Sequence, residues 1–89
     1  MNDFQSDKRR VAVIGGGISG LSAAHRIHEL DPTIDLRLFE SAPRLGGSLQ
    51  TERRDGFLLE WGADNFITQL PWGLDLCRRI GFEDQLIPT

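Results

Sequence analysis

The sequence VAVIGGGISG, residues 11–20, decides the fold of this chain. Its first four residues are apolar and mostly β-branched, which is typical of a buried, central parallel strand. Three glycines then permit a tight turn. Apolar residues recur at helical spacing from Ile18 to about Leu30, where Asp31 and Pro32 end the pattern. A strand, a glycine turn and a helix are therefore predicted in direct succession.

Each glycine of the Gly-x-Gly-x-x-Gly pattern has its own steric role. Gly15 permits the turn out of the strand, Gly17 lets the backbone approach a pyrophosphate, and Gly20 lets the helix lie close to the strand. The first amides of the helix, around Ile18 and Ser19, have no partner within the helix and favour an anion. By itself the pattern leaves open a glycine-rich turn in an unrelated fold. The strand before it and the helix after it favour a dinucleotide site.

A second apolar run, residues 34–40, predicts a second strand that ends on Glu40. An acid roughly 20 residues past the last glycine is where a dinucleotide site binds the ribose hydroxyls. Its charge would repel a 2′-phosphate, so FAD or NAD is favoured over NADP. The alternative for Glu40 is a surface carboxylate paired with Arg44. Arg44 in turn is either a solvated loop charge or a bidentate phosphate ligand.

A second glycine pair, Gly46-Gly47, follows in a loop. It suggests that the backbone approaches a ligand again, which a longer ligand would explain, and a flexible turn is the alternative. Asp55-Gly56 lies between the extended runs 49–54 and 57–60 and predicts a hairpin with a type I′ turn.

The last part of the chain predicts a loop at residues 62–65 and a helix over residues 71–80, with Gly81 as its C-terminal cap. Trp61 and Trp72 are expected to be core residues rather than stacking platforms. Cys77, on an apolar helical face, is expected to pack rather than to act as a nucleophile.

The composition of the 89 residues limits the other function classes. Ten Lys and Arg stand against 13 Asp and Glu, so there is no basic surplus for a nucleic acid partner. A single cysteine excludes an internal disulfide, and two histidines without a third ligand predict no metal site. The sequence has neither an apolar run long enough for a membrane span nor a secretion signal at residues 1–10. We therefore expect a cytoplasmic location.

Three segments resemble the amine oxidase superfamily of FAD-dependent flavoproteins, which includes monoamine oxidases, phytoene desaturases and protoporphyrinogen oxidases. They are GGGISGL at 15–21, FES at 39–41 and RLGGS at 44–48. The later segments LQTER at 49–53, DGF at 55–57, EWGADNF at 60–66 and IGFEDQLI at 80–87 resemble more specifically the amino-terminal stretch of protoporphyrinogen oxidases. The resemblance covers nearly everything from residue 10 to residue 88.

The resemblance implies an α/β fold, a partial Rossmann-like FAD-binding domain made of a βαβ unit followed by a β-hairpin and a helix. Residues 1–89 would be the amino-terminal part of a single FAD-binding domain, with the substrate domain absent from this chain. Two departures from the family pattern are Ala63, where proline is frequent, and Ser48, where a larger or basic side chain is common. The expected FAD contacts are Gly15, Gly16, Gly17, Ile18, Ser19, Gly20, Glu40, Arg44, Gly47, Ser48, Gly62, Ala63, Asp64 and Asn65.

The reaction implied by the resemblance is the six-electron oxidation of protoporphyrinogen IX to protoporphyrin IX in haem synthesis, with oxygen as the usual acceptor. The flavin does the redox chemistry, so no catalytic residue is predicted in this chain, and the chain alone is expected to be inactive. Peripheral membrane contact through other parts of the protein is a further expectation. Two alternatives stay open: another substrate of the superfamily (coproporphyrinogen, an amine or a carotenoid precursor), and a non-catalytic nucleotide-binding module.

Overall fold

The computed structural model describes residues 9–88, and their elements follow the predicted α/β order. Most element ends lie within one or two residues of the prediction. The elements are β1 (Arg10–Ile14), α1 (Ile18–Leu30), β2 (Asp35–Phe39), β3 (Thr51–Arg54), β4 (Phe57–Glu60), α2 (Trp72–Arg79) and a single 3-10 turn (Glu83–Gln85).

The first half of the chain is a βαβ unit. β1 and β2 pair in parallel, with Arg10 opposite Asp35 and Ile14 opposite Phe39. α1 forms the crossover and packs against both strands. A Cβ placed on Gly20 would lie 3.4 Å from Cγ1 of Val13, so Val13 is on the strand face that the helix covers.

Burial in β1 is one-sided, which corrects the expectation of a strand buried on both faces. Val11 and Val13 are half-buried, whereas Ile14 is 78% exposed. Within residues 9–88 no hydrophobic side chain is fully buried. The physical reason is that one helix covers only one face of a two-stranded sheet. The expectation of a core position was also wrong for Trp61 and Trp72, which are 61% and 70% exposed.

Two turns explain why β2 and β3 begin later than predicted. The amide of Ile34 donates to the carbonyl of Asp31 at 3.2 Å, which keeps Ile34 in the turn after α1. The amide of Leu49 donates to the carbonyl of Gly46 at 3.0 Å, so the loop continues up to β3.

The predicted hairpin is confirmed. β3 and β4 pair antiparallel, with Arg54 opposite Phe57 at the closed end. Asp55 and Gly56 have φ values of 53° and 83°. Two consecutive positive φ angles in a two-residue loop are the signature of a type I′ turn.

The predicted cap of α2 is confirmed as well. Gly81 has φ of 75°, its amide donates to the carbonyl of Arg78 at 3.2 Å, and the Phe82 amide donates to Cys77 at 2.7 Å. This pair of bonds is a Schellman motif. Pro71 is the N-cap rather than a helical residue. None of the helices that the structure describes between residues 9 and 88 has the length and apolar character needed to cross a bilayer.

Candidate cofactor site

The start of α1 lies beside an open groove. Gly15 turns out of β1 with φ of 102°, and its amide donates to the carbonyl of Phe39 at 2.7 Å, which fixes the turn against the end of β2. Gly17 is the N-cap, and no side chain of residues 9–88 caps the helix there. The groove has a volume of about 320 Å³ and is lined by Ile14, Gly15, Gly17, Ile18, Ser19, Gly20, Gly46 and Ser48.

Gly20 brings the helix against the turn. A Cβ at this position would lie 1.8 Å from the carbonyl oxygen of Gly15, a distance that no side chain can adopt. The close approach therefore requires glycine, in line with the steric role that the sequence assigned to it.

The second glycine pair meets the first glycine segment directly. The amide of Gly46 donates to the carbonyl of Gly16 at 2.8 Å, and a Cβ on Gly47 would lie 3.1 Å from Cα of Gly17. Gly46 and Gly47 have φ values of 109° and 60°, which favour glycine. The two glycine segments thus form neighbouring walls of one groove, with Gly46 and Ser48 on the second wall.

Glu40 lies directly after β2 and is bound by backbone amides. Its Oε2 accepts from the Ala42 amide at 2.8 Å, and its Oε1 accepts from the Gly16 amide at 2.7 Å. The bonds from Ala42 and then Gly16 are the main causes that lower the pKa of Glu40, and Arg44 makes a smaller contribution through its charge. The carboxylate is therefore ionised and held at the edge of the glycine turn. Its contact with a ribose remains a prediction.

Arg44 is bonded within its own loop. Its Nη1 donates to the carbonyls of Leu45 and Leu49 at 3.1 and 3.3 Å, and its Nη2 donates to the carbonyl of Gly47 at 2.7 Å and to Oε1 of Gln50 at 3.0 Å. Arg44 is exposed, as the alternative of a solvated loop charge expects, but its guanidinium is also held by these four bonds within the loop. Direct contact with phosphate remains a prediction.

The predicted contacts in residues 62–65 divide between two places. A Cβ on Gly62 would lie 2.3 Å from the carbonyl oxygen of Ser48, so Gly62 packs against the second glycine wall. Asp64 and Asn65 line a separate cavity of about 1010 Å³, together with the segments 66–69 and 85–88 and with Leu74 and Glu83. Ala63 connects the two places along the chain. The structure thus joins Gly62 to the groove and places Asp64 and Asn65 at another opening.

Sequence reasoning missed Ile14, which lines the groove, and Leu45, which lies beside the glycine turn. Gly46 lines the groove too, as the second glycine pair suggested. The side chain of Leu45 covers Gly16, where a Cβ would lie 2.6 Å from Cδ2 of Leu45. The glycine pair itself was the signal for Gly46, whereas the positions of Ile14 and Leu45 depend on how the two loops meet. Over the described part of the chain, no cluster of three or more His, Cys, Asp or Glu could hold a metal ion.

Known proteins match this arrangement over most of the chain. Residues 13–80 match the model of the NAD(P)-binding Rossmann-like domain family. A coproporphyrinogen III oxidase of Staphylococcus aureus is 37% identical over 79 residues, which are 89% of this chain and 17% of the relative. The Bacillus subtilis protein of the same name is 38% identical over 84 residues, which are 90% of this chain and 18% of the relative.

Protoporphyrinogen oxidases are also among the relatives. The mitochondrial enzyme of Nicotiana tabacum is 42% identical over 64 residues, which are 70% of this chain and 12% of the relative. A crystal structure from Exiguobacterium sp. 255-15, assigned as a protoporphyrinogen oxidase, superposes with a TM-score of 0.77 at 38% identity, covering 89% of this chain and 17% of that one. This chain therefore spans less than a fifth of the length of these relatives.

The predicted fold and the predicted resemblance are both confirmed by these matches. The chain belongs to the NAD(P)-binding Rossmann-like domain family, in a form similar to that of coproporphyrinogen and protoporphyrinogen oxidases.

Proposed function

We propose that this chain forms the dinucleotide-binding part of an FAD-dependent oxidoreductase that oxidises a porphyrinogen. One observation carries the proposal: two glycine segments meet at one groove, beside a helix start that no side chain of residues 9–88 caps. A groove of this kind suits a ligand with a pyrophosphate, because the backbone can approach closely and the helix start favours negative charge.

The residues present fit FAD. The amides of Ile18 and Ser19 would hold the pyrophosphate, since Gly17 and Gly47 leave no Cβ between the two walls. Glu40 would hold the adenosine ribose. Each carboxylate oxygen accepts one backbone amide and retains a further lone pair for a ribose hydroxyl.

Two observations favour FAD over NAD. The second glycine segment lines the same groove as the first glycine turn, so the backbone can approach a ligand at two places, in line with a longer ligand. Gly62, the first residue of the segment expected near the flavin, packs against that wall. When bound, FAD supplies the redox chemistry, and the part of the protein described here binds and orients it.

The proposed reaction is the oxidation of protoporphyrinogen IX to protoporphyrin IX, with oxygen as the acceptor. Coproporphyrinogen III is the second candidate substrate, favoured by the names of the Staphylococcus aureus and Bacillus subtilis relatives. We assign no catalytic residue to this chain, because its site residues bind cofactor.

The full-length protein tests the proposal. We expect a yellow protein that releases FAD on denaturation and oxidises one of the two porphyrinogens, followed by the fluorescence of the porphyrin formed. A protein that binds NAD but not FAD would contradict the cofactor assignment. A flavoprotein that oxidises an amine or a carotenoid precursor instead would contradict the substrate class, and one that oxidises none of these would be a binding module.

A further inference from the structure

The guanidinium of Arg44 acts as a fork that closes the loop of residues 44–50. Each of its two terminal nitrogens donates to two acceptors, and all four acceptors lie within six residues along the chain. They are the carbonyls of Leu45, Gly47 and Leu49 and the side-chain oxygen of Gln50. A planar group with fixed donor directions can hold several loop carbonyls in one arrangement.

This closed loop forms the second wall of the groove. Gly46 is joined to Gly16 by a backbone hydrogen bond of 2.8 Å, and Gly47 approaches Gly17 so closely that a Cβ would lie 3.1 Å from Cα of Gly17. The carbonyl of Gly47 is also the acceptor nearest to Arg44, at 2.7 Å. Gly47 therefore both accepts a hydrogen bond from Arg44 and forms the part of the second wall that lies against Gly17.

A bidentate phosphate contact through the two terminal nitrogens would compete with this arrangement. It would draw the guanidinium away from the carbonyls of the loop and leave the wall without its internal donors. Only Nε of Arg44 is free of the four bonds that close the loop.

We infer that Arg44 is a positioning residue, which sets the distance between the two glycine walls from within the loop instead of binding the phosphate itself. The inference rests on the proposed function for its ligand, since the groove it shapes is the one assigned to FAD. Its structural part, the closure of residues 44–50, concerns the protein without ligand.

The test uses Arg44→Gln and Arg44→Lys in the full-length protein, with Arg53→Gln as the matched control. Arg53 is an exposed arginine of β3, so its replacement removes the same charge outside the loop. Hydrogen exchange of the peptide covering residues 44–50 is measured without FAD, and FAD affinity is measured by flavin fluorescence. Thermal unfolding of each variant verifies that it is folded.

We expect the 44–50 peptide to exchange faster in both Arg44 variants than in the wild type. In the Arg53→Gln control it should exchange at the wild-type rate. FAD affinity falls about ten-fold or more in both variants, because the bonds that hold the loop in place before binding are lost and its ordering then opposes binding. Lysine keeps the positive charge but lacks the planar guanidinium. Arg44→Lys should therefore show the same faster exchange and the same loss of affinity as Arg44→Gln.

Two results would overturn the inference. One is unchanged exchange of the 44–50 peptide in folded Arg44 variants. The other is an Arg44→Lys protein that binds FAD like the wild type while Arg44→Gln does not. Lysine keeps the positive charge, so that result would mean that the charge binds the phosphate directly. Failure of the proposed function can be told apart from failure of this inference. If the proposed function is wrong, the wild-type protein binds no FAD, and the exchange measurement still decides the role of Arg44 in the loop.

Discussion

The carboxylate of Glu40 accepts the amide proton of Gly16 at 2.7 Å, across 24 residues of chain. This bond joins the end of β2 to the turn that follows β1. The side chain expected to bind ribose therefore also holds the glycine turn in place before any ligand arrives. Loss of Glu40 should consequently affect both the ligand contact and the shape of the groove.

Replacing Glu40 with alanine in the full-length protein should weaken FAD binding by about 1 to 3 kcal/mol, the scale of lost charged hydrogen bonds. Titration of the FAD-free protein with FAD measures the change. Asp84→Asn is the control, because Asp84 is an exposed acid of the 3-10 turn. Equal affinity of the wild type and Glu40→Ala would mean that the carboxylate takes no part in binding.

Acid should lower the stability of the FAD-free protein, because it protonates Glu40. Its pKa is lowered in the folded state, chiefly by the backbone bonds from Ala42 and Gly16. A group with a lowered folded-state pKa stabilises the fold above its ordinary pKa, and this stabilisation is lost as the pH falls through the lowered value. Thermal unfolding of the wild type and of Glu40→Gln, followed from neutral to acidic pH, measures it.

The difference in melting temperature between the wild type and Glu40→Gln should be largest at neutral pH and shrink in acid. Parallel curves across the whole range would show that ionisation of Glu40 does not contribute to stability.

Replacing Gly17 with valine should abolish flavin retention in the full-length protein. A Cβ there would lie 3.9 Å from Cα of Gly47, an ordinary contact, but the two further methyl groups of valine would fill the space between the walls. Gly17→Ala is the matched variant and should keep more of the affinity. The ratio of flavin to protein absorbance after purification measures both, and a Gly17→Val protein with wild-type flavin content would show that the groove is not the pyrophosphate site.

The hairpin turn offers a test of fold stability away from the groove. Gly56 has φ of 83° and no atom within 4 Å of a Cβ placed on it, so Gly56→Ala adds backbone strain without a clash. We expect a loss of about 1 to 2 kcal/mol in unfolding free energy. Gly56→Asn should lose less, because asparagine tolerates this conformation better. Denaturant unfolding distinguishes the two, and an alanine variant as stable as the wild type would exclude the type I′ geometry.

Local chemistry made some features predictable. A β-branched apolar run, three glycines and apolar residues at helical spacing predicted β1, the turn and α1 in that order. Asp55-Gly56 predicted its turn type, and Gly81 its cap. Each of these features depends on φ preferences or on side-chain spacing within a few residues. Such local properties can be read from the sequence without knowledge of tertiary contacts.

Burial was less predictable. The apolar runs indicated buried strands and core tryptophans, yet Ile14 and Trp72 are exposed. An apolar side chain favours burial, but whether it is buried depends on which helices and sheets pack against its strand or helix.

By itself, the sequence determined the order of strands and helices, the positions where only glycine fits a turn, and the resemblance to the protoporphyrinogen oxidases. The tertiary structure alone decided which walls those glycines form: Gly46 bonded to Gly16, Glu40 bound by amides, Arg44 turned into its own loop, and Asp64 and Asn65 placed at a separate cavity. The physical reason is that a hydrogen bond between distant residues depends on how two loops are brought together, and residue type states only that a donor or an acceptor is available.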